Sequence, residues 1–145
     1  MNAAITCLLF SLFLFSCTTM PRTFNNPSAA APIGPYSHGV QCSGSLLFLS
    51  GQIALRSDGS FLDGNVEQQT AQIFENISSI LQSQGATLNH VVKTTVFLTS
   101  MADFADMNIR YAAAFGEHRP ARSTVEVSKL PKDARVEIEV IACVP

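Results

Sequence analysis

The chain has 145 residues, a net charge of −2, 14% charged residues and no tryptophan. That length suits one domain able to bury roughly two thirds of its unfolded surface and leaves little material for a second. Lysines and arginines form no cluster and do not interleave with aromatics, so a phosphate-neutralising surface for nucleic acid is disfavoured.

Cys7, Cys17, Cys42 and Cys143 are widely spaced without a CxxC pair, and His38, His90 and His118 are isolated from one another. Neither a metal site nor a disulfide framework is expected from that spacing. No glycine-rich phosphate loop precedes a helix, so no nucleotide cofactor is implied.

Residues 1–19 carry no charged side chain, and Ala3 to Cys17 is almost continuously apolar. The run is short for a bilayer span but suits the core of a signal peptide. Leu14-Phe15-Ser16-Cys17 is similar to a lipoprotein cleavage box, and Cys17 would then be lipidated and place the protein at a membrane. The competing reading starts translation at Met20 and treats 1–19 as an upstream extension of the reading frame. On that reading 20–145 is the whole domain and the protein is cytoplasmic.

Pro27 to Pro35 is small and proline-rich, hence extended. Val40 to Cys42 and Leu46 to Ile53 read as two strands joined across Ser43-Gly44-Ser45, with Leu46 to Leu49 apolar enough for burial on both faces. Ser50-Gly51-Gln52 interrupts that run, as a bulge or a close approach of another group would. Val66 to Gln84 is a helix with Val66, Ile73, Phe74, Ile77, Ile80 and Leu81 on one stripe, stopped by Gly85. Val91 to Leu98 is a β-branched run typical of a central strand. Ser100 to Asp103 has the spacing of a capping box and opens a second helix, with Phe104, Met107, Tyr111, Ala114 and Phe115 facing inward and Asn108 at the margin.

The stretch from Pro120 to Ile141 carries the candidate chemistry. Ser123, Val125 and Val127 alternate with Arg122, Thr124, Glu126 and Ser128; further on, Val136, Ile138, Val140 and Ala142 alternate with Arg135, Glu137, Glu139 and Ile141. With Lys129 to Asp133 between them, the two runs read as a hairpin in which Glu137 falls across from Val125. Arg122, at the mouth of a strand behind Pro120, can offer a rigid planar fork to a carboxylate. Glu137, amid Val136, Ile138 and Val140, would be dry enough to handle protons near neutrality. Two helices for about five strands predict an α+β fold, a single mixed sheet with both helices on one face. The other face then calls for a partner, and a homo-oligomer packing sheet faces together is the economical solution.

The segments IGPYSHGV (33–40), LSGQI (49–53), VVKTTVFL (91–98) and PARSTVEVSKLPKDARVEIE (120–139) resemble the Rid family of enamine/imine deaminases, the YjgF-type proteins. The similarity spans essentially all of 20–145. It implies a chorismate-mutase-like fold, a homotrimer with active sites between subunits, and hydrolysis of 2-aminoacrylate and related 2-imino acids to 2-keto acids and ammonia without a cofactor. Carried over by residue, Arg122 would pair with the substrate carboxylate and Glu137 would position or activate the attacking water. Tyr36 and Asn108 would line the pocket, and Ser50 and Gly51 would contribute from a strand edge. Thr124 stands where many active members carry a cysteine, which bears on substrate range. Arg119 replaces a frequent aromatic in a shortened loop at the cleft rim. A ribonuclease activity has also been attached to the family, but the acidic balance here argues against it. The remaining alternative is a non-catalytic trimeric module that binds a small carboxylate.

Overall fold

The computed structural model describes residues 20–144. The apolar segment 1–19, with Cys7 and Cys17, lies outside them, so neither the export reading nor the Met20 start is addressed by the fold. Among the described residues no helix is long and apolar enough to cross a membrane.

In chain order the elements are β1 (Arg22–Phe24), β2 (Gly39–Gln41), β3 (Ser45–Gln52), α1 (Val66–Ser83), β4 (Val91–Leu98), α2 (Phe104–Phe115), β5 (Ala121–Glu126) and β6 (Val136–Val144). The main sheet has the order β3-β6-β4-β5, with β4 and β5 parallel and the other pairs antiparallel. Both helices cover one face of this mixed sheet, as expected of the α+β class. A separate two-stranded ribbon of β1 and β2 is added to it.

Local chemistry starts α1 firmly. Asn65 Oδ1 accepts from the Gln68 amide at 2.9 Å, and Gln68 Oε1 accepts in return from the Asn65 amide at 3.1 Å, a reciprocal cap for two otherwise unpaired donors. Val66, Ile73, Phe74, Ile77 and Leu81 are buried, whereas Ile80 sits at the margin of the stripe. On α2 the buried residues are Met107, Tyr111 and Phe115. Phe74 meets the rings of Tyr111 and Phe115 edge-on, at centroid distances of 5.6 and 5.3 Å, which joins the helices through an aromatic cluster.

Three expectations need correction. β5 and β6 do not form a hairpin, because β4 lies between them and Glu137 pairs with Phe97. A strand delivered through a helix returns parallel to the strand before it, so β5 takes one edge of β4 and β6 the other. The Val127 amide bonds Leu98 O at 2.8 Å and the Thr99 amide bonds Arg135 O at 3.0 Å, so the linking loop straddles the end of β4. Lys132 and Asp133 bend it with positive φ of 57° and 56°. Second, β2 pairs with β1, while β3 joins β6. Third, β3 is covered on one face only: Leu49 faces the core, but Leu46 and Phe48 are 54% and 68% exposed on the other side.

The structure also overturns the expectation of no disulfide. Cys42, just past β2, is bonded to Cys143 near the end of β6, with Cα atoms 6.4 Å apart and a sequence separation of 101. No spacing rule reveals such a pair. The β3–β6 register sets Leu46 opposite Cys143, and that pairing brings the sulfurs together.

Candidate active site

The head of β5 is tied down before Arg122 is reached. Ser37 Oγ donates to Arg119 O at 2.6 Å, and Ser37 bridges Ala121 in parallel fashion, which sets the Tyr36 loop beside the strand. In the β4–β5 register Arg122 lies opposite Thr94 and Thr124 opposite Val96. Thr94 and Val96 are buried under the helices, so Arg122 and Thr124 point to the helix-covered face as well. The polar side of β5 is therefore the covered one, and Val125, on its more apolar side, is exposed.

The half-buried Arg122 guanidinium is surrounded by rings. Its Cζ lies 4.6 Å from the Tyr111 centroid, 5.2 Å from Tyr36 and 5.6 Å from Phe104. Such faces attract a cation without neutralising it. Arg122 Nη1 donates to Asn108 Oδ1 at 2.7 Å, so Asn108 is a partner of the guanidinium and not a free surface amide. Gly34 is packed so closely that an added Cβ would stand 2.9 Å from Nη2. Among the described residues no carboxylate forms an ion pair with Arg122. Burial pushes its pKa below the ordinary arginine value, partly countered by Tyr111 and Tyr36. An arginine does not lose its charge under such conditions, so this is a half-buried cation without a counter-ion among the described residues, an arrangement suited to an anion.

A cavity of about 220 Å³ opens beside it, lined by Ile33, Tyr36, Met101, Phe104, Arg122 and Thr124. The Thr124 hydroxyl oxygen is buried and has no hydrogen-bond partner among the described residues. A larger groove of about 370 Å³ runs between α1 and α2 over Phe74 and Leu88, away from these groups. The smaller cavity is the better candidate because a half-buried guanidinium without a carboxylate partner among the described residues and the Thr124 side chain line it together.

Glu137 is elsewhere. Its neighbours in sequence, Val136 and Ile138, are buried beneath the helices, so Glu137 points to the opposite, open face. The apolar surroundings expected around it thus lie on the far side of the sheet. Its contact there is with β3, whose register shifts between Leu49 and Gln52. At that bulge a Cβ on Gly51 would collide with Glu137 Oε1, so glycine leaves the carboxylate its room. Ser50 is exposed next to it.

The structure thus gathers Arg122, Asn108, Tyr36 and Thr124 into one cluster and Glu137, Gly51 and Ser50 into another, on opposite faces of one chain. The sequence reading missed the packing of Gly34 against Arg122 and the roles of Ile33 and Met101 in the cavity wall. Phe104 and Tyr111, expected only on the inner face of α2, also face the guanidinium. An apolar stripe gives no sign that one of its rings will carry a cation. Among the described residues no group of His, Cys, Asp and Glu could hold a metal ion.

A family model described as endoribonuclease L-PSP matches residues 26–144. A 2-iminobutanoate/2-iminopropanoate deaminase of Salmonella typhimurium is 43% identical over 126 residues, covering 85% of this chain and 98% of its own length. The chain belongs to the Rid family. A RutC family protein of Pyrococcus horikoshii is 50% identical over 124 residues, covering 85% of this chain and 98% of that one. Among solved structures, a Rid family protein from Yersinia pestis superposes with a TM-score of 0.80 at 28% identity over 87% of this chain and all of that one. RidA from an Antarctic Psychrobacter gives 0.66 at 38% identity, covering 85% and 99%. The fold and the family expected from the sequence are therefore found. In Rid terms, the covered Arg122 cluster and the open Glu137 cluster are the two places where the resemblance put site residues.

Proposed function

We propose that this Rid protein hydrolyses 2-imino acids and their enamine tautomers to 2-keto acids and ammonia, in clefts shared between copies of a homotrimer. The observation that carries this reading is Arg122, half-buried among three rings, held by Asn108 and lacking a carboxylate partner. A small substrate carboxylate supplies the missing charge, and the planar fork binds it in two-pronged fashion. Thr124 lines the same cavity, and its buried hydroxyl, without a partner among the described residues, turns onto the substrate as a second donor.

Glu137 of a neighbouring copy completes the chemistry. The protonated imine carbon is electrophilic; a water held by Glu137 adds to it while the carboxylate takes the water's proton. That proton passes to the amine of the resulting tetrahedral adduct, the adduct's hydroxyl gives its own proton to Glu137 as the carbon–nitrogen bond breaks, ammonia and the keto acid leave, and Glu137 returns the proton to solvent. One water is consumed and no cofactor is needed. Ser50 and Gly51 shape the wall beside Glu137. The exposed Leu46, Phe48 and Val125 on the Glu137 face are the apolar surface that trimer assembly would cover.

The activity is tested on one imine. 2-Iminopropanoate generated in situ by an amino-acid oxidase should disappear faster with the protein present, and no acceleration would remove the assignment. The second reading, a trimeric module that only binds a small carboxylate, is favoured by the completeness of the Arg122 half within one chain. Glu137→Gln separates them, because a deaminase loses turnover and a binding module has none to lose. Nucleic acid is not a partner on this reading: the family description names an endoribonuclease, but the net charge is −2 and basic residues do not cluster. The proposed location is cytoplasmic. The Cys42–Cys143 disulfide weighs against it, since such bonds are scarce in reducing compartments. The intact mass of protein recovered under thiol-trapping conditions decides.

A further inference from the structure

We propose that Tyr111 is a positioning residue for Arg122: its ring face carries the guanidinium, and its hydroxyl, bonded to Thr94, holds that ring in place. This rests on Arg122 being the anion-binding group proposed above. Of the three rings around the guanidinium, Tyr111 is the nearest and is fully buried, whereas Tyr36 sits on a loop and both Tyr36 and Phe104 are half-buried. Its ring lies 4.7 Å from Phe115 of the same helix and 5.6 Å from Phe74 of α1, so it is packed on two sides. Its hydroxyl is 2.8 Å from Thr94 Oγ1, and Thr94 is the residue paired with Arg122 across β4 and β5. Thr94, Tyr111 and Arg122 therefore close a loop in which the strand bearing the arginine is referenced to the ring that carries its charge. The hydroxyl is spent on Thr94 and the ring face on Arg122, so Tyr111 acts through Arg122.

The test uses the full chain, pyruvate as the anion probe, and the ¹⁵N-edited signal of the Arg122 Nε–H, assigned through Arg122→Lys. A hydrogen over a ring face is shifted upfield, so Tyr111→Leu should move that signal downfield and weaken pyruvate binding roughly 10-fold, the scale of a desolvated cation–ring contact. Tyr111→Phe keeps the ring but frees it from Thr94, so the signal should move part of the way toward its position in Tyr111→Leu, with affinity within about 3-fold of the parent; a signal that does not move in Tyr111→Phe removes the hydroxyl's part of the inference. Phe74→Leu, in the same aromatic cluster but not on the guanidinium, should lower Tm while leaving both the signal and the affinity in place. An Arg122 signal that stays put in Tyr111→Leu, or an affinity loss no larger than that of Phe74→Leu, overturns the inference. Should Tyr111→Leu not fold, Tyr111→Met fills more of the hole and carries the same expectations. The signal is read without ligand, so it judges Tyr111 even if the parent protein neither binds pyruvate nor turns over an imine. Those failures would count against the proposed function alone.

Discussion

The two faces of the sheet differ in how much one chain does for itself. On the covered face Arg122 is braced by Asn108, by three rings and by a close-packed Gly34, and the cavity beside it exists in the single chain. On the open face Glu137 has a bulge and a glycine to accommodate it, surrounded by exposed Leu46, Phe48 and Val125. On the proposed function, binding of an anion is prepared within a chain, and a reaction needing both faces waits for a second copy. The preorganised half should therefore govern affinity, and the half awaiting assembly should govern turnover.

The largest effect is expected at Arg122. Arg122→Ala should reduce kcat/KM about 10²- to 10³-fold by leaving a substrate carboxylate unpaired in a partly desolvated cavity, and Arg122→Lys should recover little because the ammonium lacks the fork. Steady-state kinetics on 2-iminopropanoate check both, and a loss below about 10-fold would break the comparison at its stronger half. Glu137→Gln should lower kcat roughly 10²-fold while pyruvate affinity changes little, since the amide cannot take a proton. An equal loss of affinity would show that the two faces do not divide the work.

The disulfide comes next. It staples the β2–β3 corner to β6, the strands that hold Glu137, and reduction or Cys42→Ser should cost about 2–4 kcal/mol, a fall in Tm of roughly 10 °C. Scanning calorimetry with and without reductant measures it, and an unchanged Tm would mean that strand pairing alone holds that end. The smallest effect belongs to the covered half and appears only in base. Burial pushes the Tyr111 hydroxyl up to about 12 from an unfolded value of 10.0. Below pH 10 both states are protonated and stability is unaffected. Between pH 10 and 12 the unfolded chain releases the proton first, so stability falls as pH rises, by about 2–3 kcal/mol in all. Denaturant melts across that range should show the slope, and Tyr111→Phe should flatten it.

Much of this was legible in the sequence because it is local. The 3.6-residue stripe from Val66 to Leu81 and the rings at 104, 111 and 115 need no distant partner to declare a helix and its inner side. The PARS and EIE segments named the guanidinium and the carboxylate. What was illegible depends on residues far apart. Alternation says that Arg122 and Thr124 share a face but not which face is covered. Here three rings and an amide from other elements make the charged side the buried one. The hairpin expected between β5 and β6 failed because β4 offers both of its edges, a fact of topology that no turn sequence records. The Cys42–Cys143 bond was hidden for the same reason: 101 residues separate the sulfurs, and only the β3–β6 register joins them.

The most direct measurement is complementation between two inactive variants. Arg122→Ala and Glu137→Gln protein, unfolded together and refolded at equal amounts, should regain about a quarter of the parental deaminase activity, because a shared interface draws Arg122 from one variant and Glu137 from the other one time in four. Activity that stays at the level of the separate variants, with mixed trimers present by native mass spectrometry, would contradict a site shared between copies and place both groups' work within a single chain.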